Sequence, residues 1–572
     1  MNRNGFAAVQ VPCSTLRRSR HSFRPRPEVW SLGPLWSWAL ASCVAIGADQ
    51  PQWGQAWSRN MVSPEKRLPD SFDPKTGQNV KWSARLGTET HSTPVVADGR
   101  VYIGTNNGEP RDPQHQGDRG VLLCLDRKTG TLLWQLVVPK REEDPYYDWP
   151  KCGISSPVTV EGKRVYLVSN RGEVLCLDTH GLANGNDGPF KNEGEHMTPP
   201  KTSGSAPKPV PGAPIQPEPW RPRADGTALK PGPLDADIVW LFDLASEAGI
   251  WPHDAAHSSI LIHGNYLYLN SGTGVDNTHK RIRAPDAPSI VVLEKTTGRL
   301  VARDDEHMAS DIFHCTWSSP SLGEVNRRPL IFFAGGNGVI YAFEALEKAV
   351  VESGSDGIAD TRESAQRSTT PSLQSPRGLR KTWQFDFDPM APKKDIHQYL
   401  SNRREGPSNL YGMPVYYQGR VYVAGGGDLF WGKTEAWLKC IDATKAGDIT
   451  ATGLLWTYPL RKHVMSTPAI YNGLVFIADC GRAFHCLDAV TGKAYWTEEI
   501  NGEAWASPLV ADGKVYLGTR SGTFYVFAAS KEKKVLSTVE LGDPISATAT
   551  AANGVLFVAT MTHLYAVRKG AR

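Results

Sequence analysis

Toward the C-terminus the chain alternates short apolar runs with turn residues at a constant spacing. Ser466-Thr467-Pro468 leads through Ala469-Ile470-Tyr471 to Asn472-Gly473, then to Leu474-Val475-Phe476-Ile477, a turn at Gly481 and the run Ala483 to Leu487. Asp488-Ala489-Val490-Thr491-Gly492 turns the chain again before a last run carrying Trp496. Runs this short, bounded by Asn-Gly and Thr-Gly turns, are strands rather than helices. Several hairpin-joined strands in about forty residues are the signature of one propeller blade.

The first hairpin recurs at Asp98-Gly99, Glu161-Gly162, His263-Gly264, Gln418-Gly419, Asn472-Gly473, Asp512-Gly513 and Asn553-Gly554. An eighth repeat opens at Trp317-Ser318-Ser319-Pro320, where the stretch Gly323 to Arg328 is expected to replace the tight pair. Eight such hairpins predict an all-β, eight-bladed β-propeller of four-stranded antiparallel blades. The last repeat stops before its outer strand. Val80-Lys81-Trp82-Ser83-Ala84 is expected to supply it, so that pairing of N- and C-terminal segments closes the ring and removes open edges.

The third turn repeats as Asp126 to Thr129-Gly130 with Trp134, Asp488 to Thr491-Gly492 with Trp496, and Glu294 to Thr297-Gly298. The acid can accept turn N–H groups, glycine takes the left-handed corner, and tryptophan is expected between blades. This Asp-x-x-Thr-Gly-x-x-x-Trp repeat resembles that of pyrroloquinoline-quinone (PQQ) dehydrogenases and of the lipoprotein propeller of the outer-membrane barrel-assembly machine. It is also similar to secreted bacterial propellers with PQQ-like repeats. The resemblance covers residues 70–569 and implies fold more than chemistry, because the motif residues build the blade. In the dehydrogenases it would imply a stacking Trp, a calcium held by carboxylate and amide oxygens, a catalytic Asp and, in many, two adjacent cysteines. No adjacent cysteine pair is present, and no catalytic residue is carried over.

Residues 1–48 change the charge picture. Arg17, Arg18, Arg20, Arg24 and Arg26 precede an apolar stretch from Val29 to Ala48 that ends in small residues, as a signal peptide does. Leu40-Ala41-Ser42-Cys43 also has the form of a lipoprotein box, which would anchor Cys43 by lipid. Taking six arginines and Glu28 from 63 basic and 59 acidic residues leaves 57 and 58. A near-neutral mature chain argues against a nucleic-acid partner. The expected organisation is a signal peptide over 1–48, an extension over 49–70 and one propeller over 71–572, placed in the periplasm or cell envelope. Of the seven mature cysteines, Cys124, Cys176, Cys440 and Cys486 sit at one repeat position and are expected as small buried hydrophobes.

Strand order sorts the loops by face. The connections between blades and after each second strand share one face, the top; the Asn-Gly and Thr-Gly turns share the bottom. The bottom insertions, 179–236 and 348–380, are low in complexity and read as solvated linkers. The top loops are rich in aromatic, His and charged residues, which makes that face the expected binding face. Aligned on the Ser-Pro signature, His91, Ile154, His257, Trp317, Tyr411, Met465, Trp505 and Ser546 ring the channel. They either stack on a planar ligand or plug the mouth. Trp251, His253, Asp254 and His314 complete the ligand-binding candidates. His253-Asp254 with His257 has a metal-like spacing, but spacing in a loop fixes no geometry, so no metal site is assigned. The expected function is a binding or scaffold protein of the envelope, with an unknown envelope protein or a small planar ligand as partner. The alternative is a PQQ- and calcium-dependent alcohol or sugar dehydrogenase with a divergent site.

Overall fold

The computed structural model describes residues 48–141, 147–199, 228–254, 257–347 and 375–571. The basic leader to residue 47, with Cys43, and residues 200–227 and 348–374 of the two low-complexity insertions lie outside them. Eight antiparallel blades are present, with inner strands at Val95–Ala97, Thr159–Glu161, Leu261–His263, Ser321–Val325, Val415–Tyr417, Ala469–Tyr471, Leu509–Ala511 and Thr550–Ala552. Blade 8 takes its outer strand, Val80–Arg85, from the start of the propeller, paired with His563–Val567. Among the described residues no helix is long and apolar enough to cross a membrane.

Two features of the hairpins depart from expectation. In blades 2 and 3 the register pairs Glu161 with Arg164 and His263 with Tyr266. Gly162 and Gly264 are therefore the first of two turn residues, at φ 57° and 59°, as a type II′ turn requires. Blade 4 keeps a tight hairpin after all. Val325 pairs with Arg328, and Asn326 and Arg327 both adopt positive φ, at 50° and 64°. The two positive φ values match those of Gln418-Gly419 in blade 5, achieved without glycine.

At six of the eight junctions an outer-strand tryptophan locks a blade to the next. The indole N–H donates to a carbonyl in the following blade's third turn: Trp82 to Arg127, Trp134 to Thr179, Trp240 to Lys295, Trp383 to Ala443, Trp456 to Ala489 and Trp496 to Ser530. The Thr-Gly glycine sits beneath the ring. A Cβ at Gly130, Gly298 or Gly492 would lie 2.6, 2.4 or 2.6 Å from the preceding blade's tryptophan. All seven described cysteines are buried and unpaired by disulfides, consistent with the repeat position of four of them.

Residues 48–63 visit the inner strand of every blade in order. Gln50 pairs with Val96, Pro51 O accepts from Val160 N, and Trp57 Nε1 donates to Ile262 O. Trp57 O and Ser58 O then accept from Leu322 N and Tyr416 N, and the Asn60 amide bonds both ways with Ile470. Met61 O accepts from Val510 N and Ser63 Oγ donates to Ala551 O. Without this segment the inner strands would present open edges along the channel. Arg59 is its anchor. Fully buried, it donates to Pro320 O, Ser259 O, Ser259 Oγ and Trp53 O at 2.8–3.2 Å.

The described ends of both insertions pack on blade edges, so the solvated-linker expectation is corrected for them. His196 and Arg171 converge on the buried Glu173 carboxylate at 3.0 and 2.7 Å. Arg377–Gly378 adds a short parallel strand outside Leu300–Arg303.

Candidate functional site

Four top-face segments converge over blades 3 to 5. After its outer strand, blade 2 ends in a short helix, Leu244–Ala248, capped by Asp243 accepting from Ala245 N at 2.9 Å. The chain then crosses to blade 3 and brings in His253 and Asp254. The loop after the second strand of blade 3, Tyr266–Asn270, carries His279. The connection into blade 4 carries His314, and the loop after Arg420–Gly426 in blade 5 carries Asp428. Backbone bonds fix these segments to one another: His253 N donates to Gly272 O, Val275 N to His314 O and Thr316 N to Thr273 O, all at 2.9–3.1 Å. Gly274 makes the approach possible. A Cβ there would lie 2.6 Å from His314 O and 2.7 Å from His253 Cβ.

The result is a cluster of three imidazoles. Ligand nitrogens of His253, His279 and His314 all lie within 4.8 Å of one another, with His253 Nε2 and His279 Nε2 3.2 Å apart. Asp254 closes one side: its Oδ2 is 3.6 Å from His253 Nε2 and 3.4 Å from His314 Nε2. Its Oδ1 is buried and has no hydrogen-bond partner among the described residues. Behind the cluster, His314 Nδ1 is 2.9 Å from Asp428 Oδ2, which Tyr411 OH also approaches as donor. Asp428 Oδ1 accepts from Phe430 N and Trp431 N, both at 2.8 Å.

The electrostatics follow from burial and these pairings. Burial pushes His253 down to about 3, with His314 and His279 adding repulsion, so its imidazole is neutral. Burial and His314 lower His279. Burial also opposes the charge on His314, but the adjacent Asp428 carboxylate outweighs it and raises His314 well above its ordinary value. Against its own burial, Asp428 is held down to about 2 by His314. A carboxylate oriented onto the far nitrogen of a histidine is the arrangement that fixes and strengthens metal-binding imidazoles.

The structure divides the sequence-derived candidates into groups. His253, Asp254 and His314 form the cluster. Trp317 and Tyr411 roof it, with rings 5.0 Å apart, and His257 meets Trp317 edge-on at 5.0 Å. His257 Nε2 lies 3.1 Å from Asp254 O and is not one of the clustered ligands. His91 and Trp505 form a stacked pair 6.2 Å between centroids, with Arg520 over the indole. Trp251 is buried in its own cluster with Tyr147 and beneath Arg283. His279 and Asp428 complete the site without having been singled out as candidates. Only their membership of long top loops pointed to them.

The donor set of three nitrogens and a carboxylate suits a first-row transition ion. It does not suit calcium, which takes oxygen ligands, and both Asp428 oxygens are already engaged. Trp317 packs against Tyr411 and His257 at this point.

The sequence matches no curated protein. A family described as outer membrane protein assembly factor BamB matches residues 71–137, 118–182 and 435–535. The fold is similar to that of a europium-containing methanol dehydrogenase, at TM-score 0.51 and 11% identity over 90% of this chain and 89% of that one. It is also similar to BamB from Moraxella catarrhalis, at TM-score 0.48 and 11% identity over 86% and 98% of the two chains. A quinohemoprotein alcohol dehydrogenase from Comamonas testosteroni follows at 0.43 and 13%, over 92% and 81%.

Proposed function

We propose that this chain, a β-propeller of PQQ-like repeats, is an exported binding protein of the cell envelope whose top face holds a transition-metal ion. His253, His279 and His314 supply the nitrogens and Asp254 the fourth ligand. The observation that carries the reading is the three buried imidazoles with ligand atoms within 4.8 Å of one another, one of them braced by Asp428. Trp317 and Tyr411 shield the ion from the channel. Were Asp254 displaced by a ligand entering from the top, a bound zinc would offer Lewis acidity to that ligand's carbonyl, carboxylate or phosphate oxygen. The chain's own part is to fix coordination through Asp428 and to exclude water with the aromatic roof.

The quinoprotein alternative rests on likeness of fold, and the donor chemistry of this cluster does not support a calcium-assisted site. Export rests on the basic and apolar leader. Mass spectrometry of the processed protein distinguishes a free N-terminus near residue 49 from an acylated Cys43, and an uncleaved chain would count against both.

The direct test is calorimetric titration of the metal-free mature protein with Zn2+. An ion that binds only the folded state at 100 times its Kd raises stability by about 2.7 kcal/mol. His279→Ala should abolish binding at this cluster, and Asp428→Asn should weaken it about 10- to 100-fold. Binding that survives His279→Ala and His314→Ala unchanged would overturn the assignment.

A further inference from the structure

A second group lies outside this cluster, one and two blades further round the same face. His463 is in the connection from blade 5 to blade 6, after the strand Leu454–Leu460. Cys480 follows the second strand of blade 6, Leu474–Asp479, and Glu503 lies in the connection to blade 7. Their ligand atoms all fall within 4.8 Å of one another. The backbone holds each in place: Cys480 N donates to His463 O at 3.0 Å and Arg520 N to Glu503 O at 2.8 Å.

What separates this group from ordinary packing is His463. Its side chain is 1% exposed, and neither ring nitrogen has a hydrogen-bond partner among the described residues. A buried imidazole in a protein core normally satisfies at least one nitrogen. Here both are left over, beside a thiol that makes a weak hydrogen bond to Ala504 O at 3.7 Å. The ring is neutral, pushed down to about 4 by burial and Lys462, so a lone pair is available for an ion.

We infer that His463, Cys480 and Glu503 form a second ion site, for zinc or a similarly borderline-soft cation. One nitrogen, one sulfur and one carboxylate oxygen are ligands that zinc accepts together, with a fourth position left for water or a ligand atom. Thiolate and carboxylate together balance the dication. Glu503 is half-exposed and only loosely held, by Trp505 Nε1 at 3.4 Å and Lys462 at 3.8 Å. It is free to close on an ion arriving from the channel. A thiol must shed its proton to ligate, so binding weakens as pH falls. The site shares no ligand with the three-imidazole cluster and stands or fails independently of it.

Cobalt separates the two sites, since only one contains sulfur. Metal-free mature protein saturated with Co2+ should show a near-ultraviolet thiolate-to-metal absorption and, with Zn2+, bind two equivalents. Cys480→Ser, nearly isosteric, should lose that absorption and one equivalent while unfolding at a similar temperature. Cys315→Ser, the thiol beside the first cluster, should keep both. His463→Ala should weaken the sulfur site at least tenfold. No thiolate absorption in the wild type, or one that persists in Cys480→Ser, overturns the proposal. One equivalent with the absorption present would uphold it and instead count against the cluster of three histidines.

Discussion

The third turns on the bottom face and the connections on the top face treat their polar atoms in opposite ways. In Asp488-Ala489-Val490-Thr491-Gly492, Asp488 Oδ1 accepts from Val490 N, Thr491 N and Thr491 Oγ1 at 2.9–3.0 Å, and Oδ2 accepts from Tyr495 OH at 2.8 Å. Asp126 repeats the pattern with Lys128 and Thr129. Every bond closes within seven residues, so the motif is satisfied wherever it is copied. On the top face Asp254 Oδ1 and both nitrogens of His463 are buried and left without partners among the described residues. An orphaned buried polar group costs about 1–3 kcal/mol. A turn that satisfies its own acid is architecture; residues from several loops left short of partners where those loops converge mark where a ligand belongs.

Acid should break the two faces at different pH, and this is the largest effect expected. An unperturbed histidine titrates near 6.5. His253 and His463 are pushed down to about 3 and about 4 in the fold, chiefly by burial. The unfolded chain therefore binds two more protons than the folded one in the window between. Their contribution to stability is present above pH 6.5 and is lost as pH falls, at up to about 1.4 kcal/mol per pH unit for each histidine. His314 runs the other way: raised, its contribution is complete below 6.5 and is lost as pH rises through its folded value. The turn carboxylates, lowered from the ordinary Asp value, keep their contribution until pH falls below that value. Urea unfolding of metal-free protein should lose stability between pH 6.5 and 4 before the bottom turns titrate. Stability constant across that window would remove the electrostatic half of the contrast.

Next in size is Arg59→Ala. It strips the buried carbonyls of Ser259 and Pro320 of a charged donor and loosens the segment that ties all eight inner strands. Hydrogen bonds to charged groups contribute about 1.5–3 kcal/mol each, so a loss of at least about 3 kcal/mol is expected in chemical denaturation. A loss below about 1 kcal/mol would show that the N-terminal segment merely lines the channel. His463→Leu should do the reverse of what a core substitution usually does. Replacing an unsatisfied imidazole by an apolar side chain should raise metal-free stability by about 1 kcal/mol while abolishing the sulfur-containing ion site. Destabilisation beyond about 1 kcal/mol would mean that His463 is structural.

The blades were legible because strand period, hairpin pairs and the Asp-x-x-Thr-Gly turn are all local, and the repeat presents them many times. The ring closure by Val80–Arg85 was legible for the same reason: blade 8 lacked a strand and the N-terminus had one to spare. Blade 4's hairpin was not, because Asn326 and Arg327 reach positive φ without the glycine that advertises it. The N-terminal segment carries no periodicity, and its bonds reach from residue 50 to residue 551, so nothing nearby announces them. The candidate sites fail to show for a related reason. His253 met by spacing with His257, yet its partners are His279 and His314, brought by loops from different strand ends. Channel-ring alignment placed Trp317, Tyr411 and His257 with Trp505 and His91, which stack on each other. His463, Cys480 and Glu503 come from three loops and have no shared motif.

The smallest effect is the most discriminating. Thr491→Ala removes one hydroxyl that donates to Asp488 and leaves the two backbone donors in place. Because the turn is exposed and the remaining bonds hold, the expected loss is about 0.5–1 kcal/mol. Gly492 still takes its left-handed corner beneath Trp456, so blade 5 stays locked to blade 6. Zinc binding at either top-face group should be unchanged within error, since no ligand is carried by this turn. If binding weakened tenfold instead, the two faces would be coupled through blade 6, whose second strand, Leu474–Asp479, leads directly into Cys480. The bottom turns could then no longer be regarded as architecture independent of the ion sites.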